Sequence, residues 1–291
     1  MPAADGCFDH DYFLGQLHVA PLTPSIGAMV SGLDLRAAAN DDEVREAVRR
    51  HKVVFFRAQD LSTLDFVAFG RRFGTLQRYG ADPAGPGASG SGTDPAHPEI
   101  RVFEYDASRR GRENFWHFDV MPDRRPARGA ILRARVVPAV GGDTLFCDMY
   151  AAYEGLSDRI RRSLDGLRAV HDFTRTFGRL MSAEELAKKQ QEFPPAEHPV
   201  VRTHPETGRK GLYVNAAFTS HIVGLEPTES DRLLELLYRQ ATVPEYQCRF
   251  RWRRHSVAFW DNRAVQHYAA SDYFPSPRLM ERVTIVGDRP I

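Results

Sequence analysis

The sequence is poor in cysteine and has no excess of charge of either sign. Its three cysteines, Cys7, Cys147 and Cys248, lie far apart and leave at least one thiol unpaired, which fits a reducing compartment. Lys and Arg number 39 against 38 Asp and Glu. Because no net positive field is available to hold a polyanion, we expect neither a nucleic-acid nor an anionic-membrane partner.

The chain also lacks long apolar runs. No stretch of 18 apolar residues is present, and the opening residues MPAADG contain neither the basic nor the apolar region of a secretion signal. A strand followed by a glycine-rich turn, the opening of a dinucleotide-binding fold, is missing too. We therefore expect a cytoplasmic protein with no membrane association and no Rossmann domain.

Short β-branched and aromatic runs, punctuated by Gly, Pro and Asp, fill most of the chain. Strands are predicted at 53–56, 100–103, 115–120, 130–137, 144–147, 198–203, 211–214, 247–252, 257–260 and 282–286. Helices are predicted at 41–52, 62–73, 149–164, 182–192 and 228–241. Asp41 and Asp42 are placed to cap the first helix, and Ser62 the second. This pattern predicts a mostly β fold with flanking helices, a jelly-roll core and a single domain over 1–291.

One segment, 80–98, is rich in Gly and Pro and contains almost no large apolar side chain. Loops of this length in a compact enzyme are either active-site lids or disordered excursions, and the sequence leaves both open.

Eleven histidines are present, and spacing distinguishes a few of them. His117 and Asp119 are two residues apart on a predicted strand, so both side chains would leave the same face. A strand with two exposed polar residues would look the same. His267 supplies a second imidazole, and two His with one carboxylate form the facial triad of non-haem Fe(II) oxygenases.

Two arginines follow His267. Arg278 and Arg282 are four apart, so on a strand they share a face, and guanidinium groups beside a core each need an anion. Structural salt bridges would satisfy that need as well as a bound carboxylate would.

Taken together, these motifs resemble the TauD/TfdA family of Fe(II)- and 2-oxoglutarate-dependent dioxygenases. The motifs that carry the likeness are Trp116-His117-Phe118-Asp119, Gly141-Gly142-Asp143-Thr144-Leu145, Trp260-Asp261-Asn262-Arg263, Gln266-His267, Arg278 and Arg282. The likeness runs from about Leu17 to the C-terminus and is interrupted mainly by 80–98.

The resemblance implies a double-stranded β-helix that binds Fe(II) through His117, Asp119 and His267. It implies that Arg278 and the Thr144 hydroxyl hold 2-oxoglutarate, and that O2 is consumed with release of succinate and CO2. The expected reaction is hydroxylation of a C–H bond in a small, anionic substrate: a sulfonate, a sulfate, an aryloxy acid or another carboxylate. Similar proteins form dimers or tetramers. The substrate-binding positions that it implies are Arg282, Tyr79, Glu113, Phe177 and Phe218.

Two positions depart from the taurine enzymes. Tyr79 stands where those enzymes have a substrate-contacting His, and Glu113 where they have an Asn. Because Glu113 would repel a sulfonate, taurine itself is not the expected substrate. Asp119 fills the position that is a small residue in halogenating relatives, which favours hydroxylation.

Several alternatives remain open at this stage. The same scaffold could desaturate or oxidatively decarboxylate its substrate, and the 80–98 segment could close over the iron. An extradiol-type oxygenase would need no oxoacid and would leave Arg278 and Thr144 unexplained. A metal-free binding module would not need all three ligands. We expect residues 260–263 to form a turn network that positions the strand carrying His267, and His221 is a further candidate for the pocket.

Overall fold

The computed structural model describes residues 10–79, 91–94, 96–178 and 181–291, with only the backbone of Ser91 and Glu192. Nine strands in these ranges form the larger sheet, in which every neighbouring pair is antiparallel except β3 and β4. In spatial order they are β1 (Tyr12–Leu14), β2 (Leu17–Pro21), β3 (Ala28–Ser31), β4 (Val53–Phe56), β15 (Val257–Asp261), β7 (Gly129–Val136), β17 (Arg278–Ile285), β6 (Ile100–Tyr105) and β5 (Ser91–Thr93).

A smaller, antiparallel sheet faces the larger one. Its three strands are β14 (Gln247–Phe250), β8 (Thr144–Asp148) and β16 (Val265–Ala269), in that spatial order. Two further small sheets consist of β10 (Ala196–Pro199), β9 (Arg168–His171) and β13 (Thr219–Ile222), and of β11 (Val201–Thr203) and β12 (Lys210–Leu212).

Aromatic side chains fill the space between the two main sheets. Phe55 of β4 stacks on Phe250 of β14 with ring centroids 4.0 Å apart, and Phe146 of β8 packs edge-on against Phe55 at 5.5 Å. Trp260 of β15 closes the same cluster. Burial of this apolar surface holds the sheets face to face. The jelly-roll core predicted from the sequence is thereby confirmed.

Helices pack outside the sheets. They are α1 (Asp41–His51), α2 (Thr63–Arg71), α3 (Met149–Glu154), α4 (Asp158–Ser163), α5 (Thr174–Phe177), α6 (Ala183–Glu192) and α7 (Pro227–Gln240). Val44 of α1 and Phe66 and Phe69 of α2 are buried in one cluster with Phe56 and Phe259 of the larger sheet. Among the described residues, no helix combines the length and the apolar character needed to cross a membrane.

Several predicted elements differ in the structure. Residues 115–120 form no strand: His117 makes one isolated bridge to His267, and Val120 has a φ of +56°. The helix predicted at 149–164 breaks into α3 and α4, and the strand at 198–203 lies across β10 and β11. The Ser62 cap is confirmed, whereas Asn40 occupies the N-cap of α1, so the caps predicted at Asp41 and Asp42 are wrong.

The Gly/Pro-rich segment is described only in part. Its residues 91–93 are strand β5, paired with β6, where the sequence predicts a loop. Residues 80–90 and 95 lie outside the described ranges. The lid predicted for this segment therefore stays a prediction.

Candidate functional site

The structure brings the predicted His–Asp–His triad together. His117 and His267 each point Nε2 toward Asp119 Oδ1, at 4.0 and 3.8 Å, and one ligand atom from each residue lies within 4.8 Å of the others. Donors that share an ion at about 2.1 Å each lie at most about 4.2 Å apart. Both histidine-to-carboxylate distances meet this limit and all three ligand atoms lie within 4.8 Å of one another, so a small side-chain adjustment would let them share one metal ion.

Backbone pairing explains how residues so distant in sequence meet. His117 N donates to His267 O at 3.1 Å, and His267 N donates back to His117 O at 2.9 Å, which attaches the irregular segment to the edge of β16. Asn262, in the turn between β15 and β16, holds Asp119: Asp119 N donates to Asn262 Oδ1, and Asn262 Nδ2 donates to Asp119 O, both at 2.9 Å.

The triad has free lone pairs that could bind a metal. His117 Nδ1 lies 2.9 Å from Phe115 O, so Nδ1 carries the proton and Nε2 presents its lone pair. Asp119 Oδ2 is buried and accepts no hydrogen bond from the described residues. A buried carboxylate oxygen without a donor is costly unless a cation meets it, so this atom supports a metal site.

Protonation states suit metal binding as well. Burial lowers the pKa of His117, and it lowers the pKa of His267 to about 3. For Asp119 burial acts in the opposite direction, but Arg282 and the two histidines outweigh it and lower its pKa. At neutral pH the triad is two neutral imidazoles and one carboxylate, the forms that ligate a metal.

Arg282 lies against the triad. Its Nη1 forms an ion pair with Asp119 Oδ1, and the predicted substrate residue Tyr79 lies beside it, with its hydroxyl 2.8 Å from Thr284 Oγ1. The sequence predicts a substrate anion as the partner of Arg282. In the structure its partner is Asp119 Oδ1, the same oxygen that lies 4.0 and 3.8 Å from the two histidines, while Asp119 Oδ2 has no partner among the described residues.

Arg278 is a buried cation that makes no ion pair with any carboxylate of the described residues. It is 5% exposed, its Nε has no hydrogen-bond partner, and no Asp or Glu oxygen of the described residues lies within 4.0 Å of its guanidinium nitrogens. Its Cζ lies 5.5 Å from the centre of the Tyr273 ring. Burial lowers its pKa, yet an arginine stays charged in proteins. Such a group is stabilised by a bound anion.

Arg278, Arg282 and the triad histidines line one cleft that is open to solvent. Its lining is Phe103, Tyr105, Glu113, His117, Leu132, Thr144, Trp260, His267, Ala269, Arg278, Met280 and Arg282. Of the predicted residues, Thr144 and Glu113 therefore belong to the cleft, and Glu113 accepts a hydrogen bond from the Tyr105 hydroxyl at 2.5 Å.

Two predicted substrate residues stand next to the cleft. The ring centroids of Phe177 and Phe218 lie 6.5 and 6.3 Å from that of Phe115. The Phe218 ring centroid also lies 6.4 Å from that of His117. They form an aromatic wall beside the triad but do not line the cleft itself. His221 is exposed and bonds to Ser220, so it does not face the cleft.

Of the turn predicted at 260–263, Trp260 and Asp261 belong to β15, and a buried ion-pair network links the end of this strand to the turn that follows. Arg263 binds Asp261 through Nε and Nη2, and His204 Nε2 lies 2.9 Å from Asp261 Oδ2. Burial raises the pKa of Asp261, but Arg263 and His204 outweigh it and hold that pKa well below its usual range. The network fixes the turn from which Asn262 reaches Asp119.

Sequence reasoning missed the aromatic residues around Arg278 and Thr144. Tyr105 and Tyr273 surround Arg278, and Trp252 bonds to Thr144, but single aromatic residues in apolar runs are indistinguishable from core residues. Only the pairing of Arg278 with Tyr105 across β17 and β6 brings Tyr105 to the cleft.

The comparisons with known proteins agree with this geometry. Residues 18–284 match the family described as "Taurine catabolism dioxygenase TauD, TfdA family". The chain is 34% identical, over 95% of its length and 91% of the relative's, to an alpha-ketoglutarate-dependent sulfate ester dioxygenase of Pseudomonas putida. It is 35% identical to an alpha-ketoglutarate-dependent 2,4-dichlorophenoxyacetate dioxygenase of Cupriavidus pinatubonensis, over 92% and 97%. The crystal structure of a taurine dioxygenase from Burkholderia xenovorans superposes with a TM-score of 0.79, at 38% identity and over 95% and 93% of the two chains.

Proposed function

The chain belongs to the TauD/TfdA family and is a 2-oxoglutarate-dependent dioxygenase, and on this premise we propose that Fe(II) bound by His117, Asp119 and His267 serves hydroxylation of a small anionic substrate. The observation that carries the proposal is the buried, unpaired Arg278 in the same cleft as the triad. A cation and a metal site in one cleft suit a ligand that is an oxoacid at one end and a carboxylate at the other.

The two ends of 2-oxoglutarate have separate partners in this proposal. Arg278 and the hydroxyl of Thr144 hold the distal carboxylate, while the oxoacid end lies toward the triad. Bound Fe(II) supplies the redox chemistry that couples conversion of 2-oxoglutarate to succinate and CO2 with transfer of oxygen from O2 to the substrate. An extradiol-type oxygenase would not need the Arg278 site.

For the substrate we propose an anion such as a sulfate ester, a sulfonate or an aryloxy acid, in line with the relatives' names. Phe177 and Phe218 would pack against its apolar part beside His117. Arg282 and Tyr79 would meet its anionic group. Glu113 puts a carboxylate into the same cleft, where it accepts a hydrogen bond from the Tyr105 hydroxyl.

Succinate formation tests the proposal. The purified protein is given Fe(II), 2-oxoglutarate and O2 with panels of alkyl sulfates, sulfonates and aryloxyacetates, and succinate is compared with hydroxylated product. We expect succinate that depends on one of these classes and is lost in Arg278→Ala. Oxidation of a catechol without 2-oxoglutarate, or no succinate with any class, would contradict the proposal.

The remaining expectations stay predictions. They are a cytoplasmic location, a dimer or tetramer and a single domain, which fractionation, light scattering and limited proteolysis would test. Desaturation or oxidative decarboxylation instead of hydroxylation would appear as a different product in the same assay.

A further inference from the structure

Trp252 makes a hydrogen bond to a residue that lines the cleft. It follows β14, is 5% exposed, and its indole Nε1 donates a hydrogen bond to Thr144 Oγ1 at 2.9 Å. Thr144 begins β8, is 2% exposed and lines the cleft together with Arg278.

This contact determines what the Thr144 hydroxyl can do. An indole N–H can only donate, whereas a hydroxyl has one proton and two lone pairs. The Thr144 oxygen is therefore the acceptor toward Trp252, and its own proton is left to donate elsewhere. No hydrogen bond donated by Thr144 Oγ1 is found among the described residues. The Thr144 hydroxyl can therefore donate its proton to a ligand in the cleft, which also contains the buried Arg278 cation.

We propose that Trp252 is a positioning residue for the cosubstrate. Its N–H occupies a lone pair of the Thr144 oxygen and thereby orients the Thr144 hydroxyl to donate to the distal carboxylate of 2-oxoglutarate. This inference rests on the proposed function. A hydroxyl that already accepts from an N–H is also more polarised as a donor, so the two hydrogen bonds reinforce each other.

The packing of Trp252 is separable from this role. Its ring meets Phe250 edge-on at 4.9 Å and lies in the apolar cluster between the main sheets. A phenyl ring in its place keeps much of that contact but lacks the N–H. Packing alone would affect every ligand of the cleft alike, whereas positioning of Thr144 affects only ligands with a distal carboxylate.

The test uses two ligands and four proteins. Dissociation constants of 2-oxoglutarate and of oxalate are measured by calorimetry on the Mn(II)-loaded protein without O2. Oxalate has two oxygens to chelate the metal but no distal carboxylate. Wild type, Trp252→Phe, Thr144→Val and the double variant are compared. We expect Trp252→Phe to weaken 2-oxoglutarate roughly two- to ten-fold, the range for one neutral hydrogen bond, and to leave oxalate within about two-fold.

The double variant separates a direct from an indirect effect. If Trp252 acts through Thr144, adding Trp252→Phe to Thr144→Val costs 2-oxoglutarate less than about two-fold more. A full additional loss, or an equal loss for oxalate, overturns the inference. Wild type that does not bind 2-oxoglutarate at all overturns the proposed function instead.

A second measurement does not need Trp252→Phe to fold. With ¹⁵N-labelled tryptophan in the Zn(II)-loaded protein, the three indole N–H signals, assigned with Trp116→Phe and Trp260→Phe, are followed during titration. We expect the Trp252 signal to move more with 2-oxoglutarate than with oxalate, and that difference to vanish in Thr144→Val. A difference that persists in Thr144→Val contradicts the inference.

Discussion

At the scale of single residues, the two oxygens of Asp119 have different surroundings. Oδ1 is bound by Arg282, and Oδ2 is buried with no donor among the described residues. A carboxylate with one oxygen held by a guanidinium presents the other in a fixed direction. Arg282 thus orients a triad ligand in addition to any contact with substrate, and the triad and its arginine have to be tested together.

Replacing a triad histidine should abolish both metal binding and turnover. We expect His267→Ala to weaken Mn(II) binding by more than about 100-fold, because even loss of a residue that only orients a ligand costs about 10- to 100-fold. Calorimetry on the metal-free protein measures this. The matched control is His221→Ala, which removes an exposed histidine outside the cleft. Unchanged metal content and full activity in His267→Ala would refute the triad.

Substitution of Arg278 and of Arg282 should each weaken the binding of a different ligand. Arg278→Ala removes a desolvated partner of a carboxylate, which typically costs about 2–5 kcal/mol, or roughly a 30- to 5,000-fold loss of 2-oxoglutarate affinity. Arg282→Ala should instead weaken metal binding by about ten-fold or more and 2-oxoglutarate by much less. Calorimetry with each ligand measures both. Arg249→Ala, an exposed arginine, serves as control. A larger loss of 2-oxoglutarate in Arg282→Ala than in Arg278→Ala would contradict this assignment.

A buried histidine pair outside the triad should make the free energy of unfolding fall at acid pH. His171 stacks on His198 at 5.3 Å, and burial, with His198, lowers the pKa of His171 to about 3. The unfolded state takes up its proton near the ordinary pKa of about 6.5. The stability from neutral His171 is therefore complete above pH 6.5 and is lost as the pH falls toward 3.

Denaturant unfolding of the metal-free protein checks this sign. Between pH 7 and 4.5 we expect wild type to lose about 2–3 kcal/mol more than His171→Asn, because each pH unit below 6.5 costs about 1.4 kcal/mol for this group. Asn can still form a hydrogen bond with Thr219 Oγ1, which lies 3.0 Å from His171 Nδ1. His221→Asn is the exposed control. Parallel pH profiles for wild type and His171→Asn would contradict the prediction.

At the scale of elements, α2 and α6 have the same cap but different packing. Ser62 and Asp65 form a capping box on α2, and Ser182 and Glu185 form one on α6. However, α2 buries Phe66 and Phe69 against the larger sheet, whereas residues 183–191 of α6 include no buried side chain. Loss of a cap reduces global stability only where the helix end unfolds together with the core.

The two cap variants should therefore differ. We expect Ser62→Ala to lower the free energy of unfolding by about 1 kcal/mol and Ser182→Ala by less than about 0.5 kcal/mol. Urea unfolding of both variants at pH 7.5 measures the difference, and neither should change the dissociation constant of 2-oxoglutarate. Equal losses would show that α6 unfolds together with the core.

The strand predictions succeeded where alternation was local and failed where distant residues decide the backbone. Arg278 and Arg282 share a face of β17, as their spacing predicts, and both line the cleft. His117 and Asp119 also reach one site, but not through a strand: the bridge to His267 and the side chain of Asn262, 143 residues away, shape the segment. No local pattern encodes such contacts.

Some strands were missed because their sequences are polar. β13 reads Thr-Ser-His-Ile and exists because it pairs with β9. Propensity is a weak guide when partner strands supply the hydrogen bonds. Residues that line the cleft through such pairings, Tyr105 above all, were therefore beyond reach of the sequence. The triad itself was predictable because metal chemistry restricts its residue types.

At the scale of the whole molecule, an apolar scaffold encloses a small charged site. Aromatic packing between the two main sheets holds β16 beside the larger sheet, and with it the triad ligand His267. Trp260 and Met280 belong both to this core and to the cleft, which also contains the buried cation Arg278. Ligands that compensate these charges bind only the folded state, so they must stabilise the whole chain.

Metal and 2-oxoglutarate should therefore raise the unfolding temperature. The part of the increase that 2-oxoglutarate adds should depend on Arg278. At about 100 times its dissociation constant a ligand contributes about 2.7 kcal/mol, which corresponds to roughly 4 to 5 °C for a chain of this size. Anaerobic thermal scans with Mn(II), with 2-oxoglutarate and with both measure the shifts. In wild type we expect the combination to exceed Mn(II) alone by several degrees, because in the proposed pose the triad and Arg278 hold opposite ends of one ligand. In Arg278→Ala the shift with Mn(II) should persist while the further gain from 2-oxoglutarate disappears, and a gain of equal size in that variant would place the distal carboxylate elsewhere.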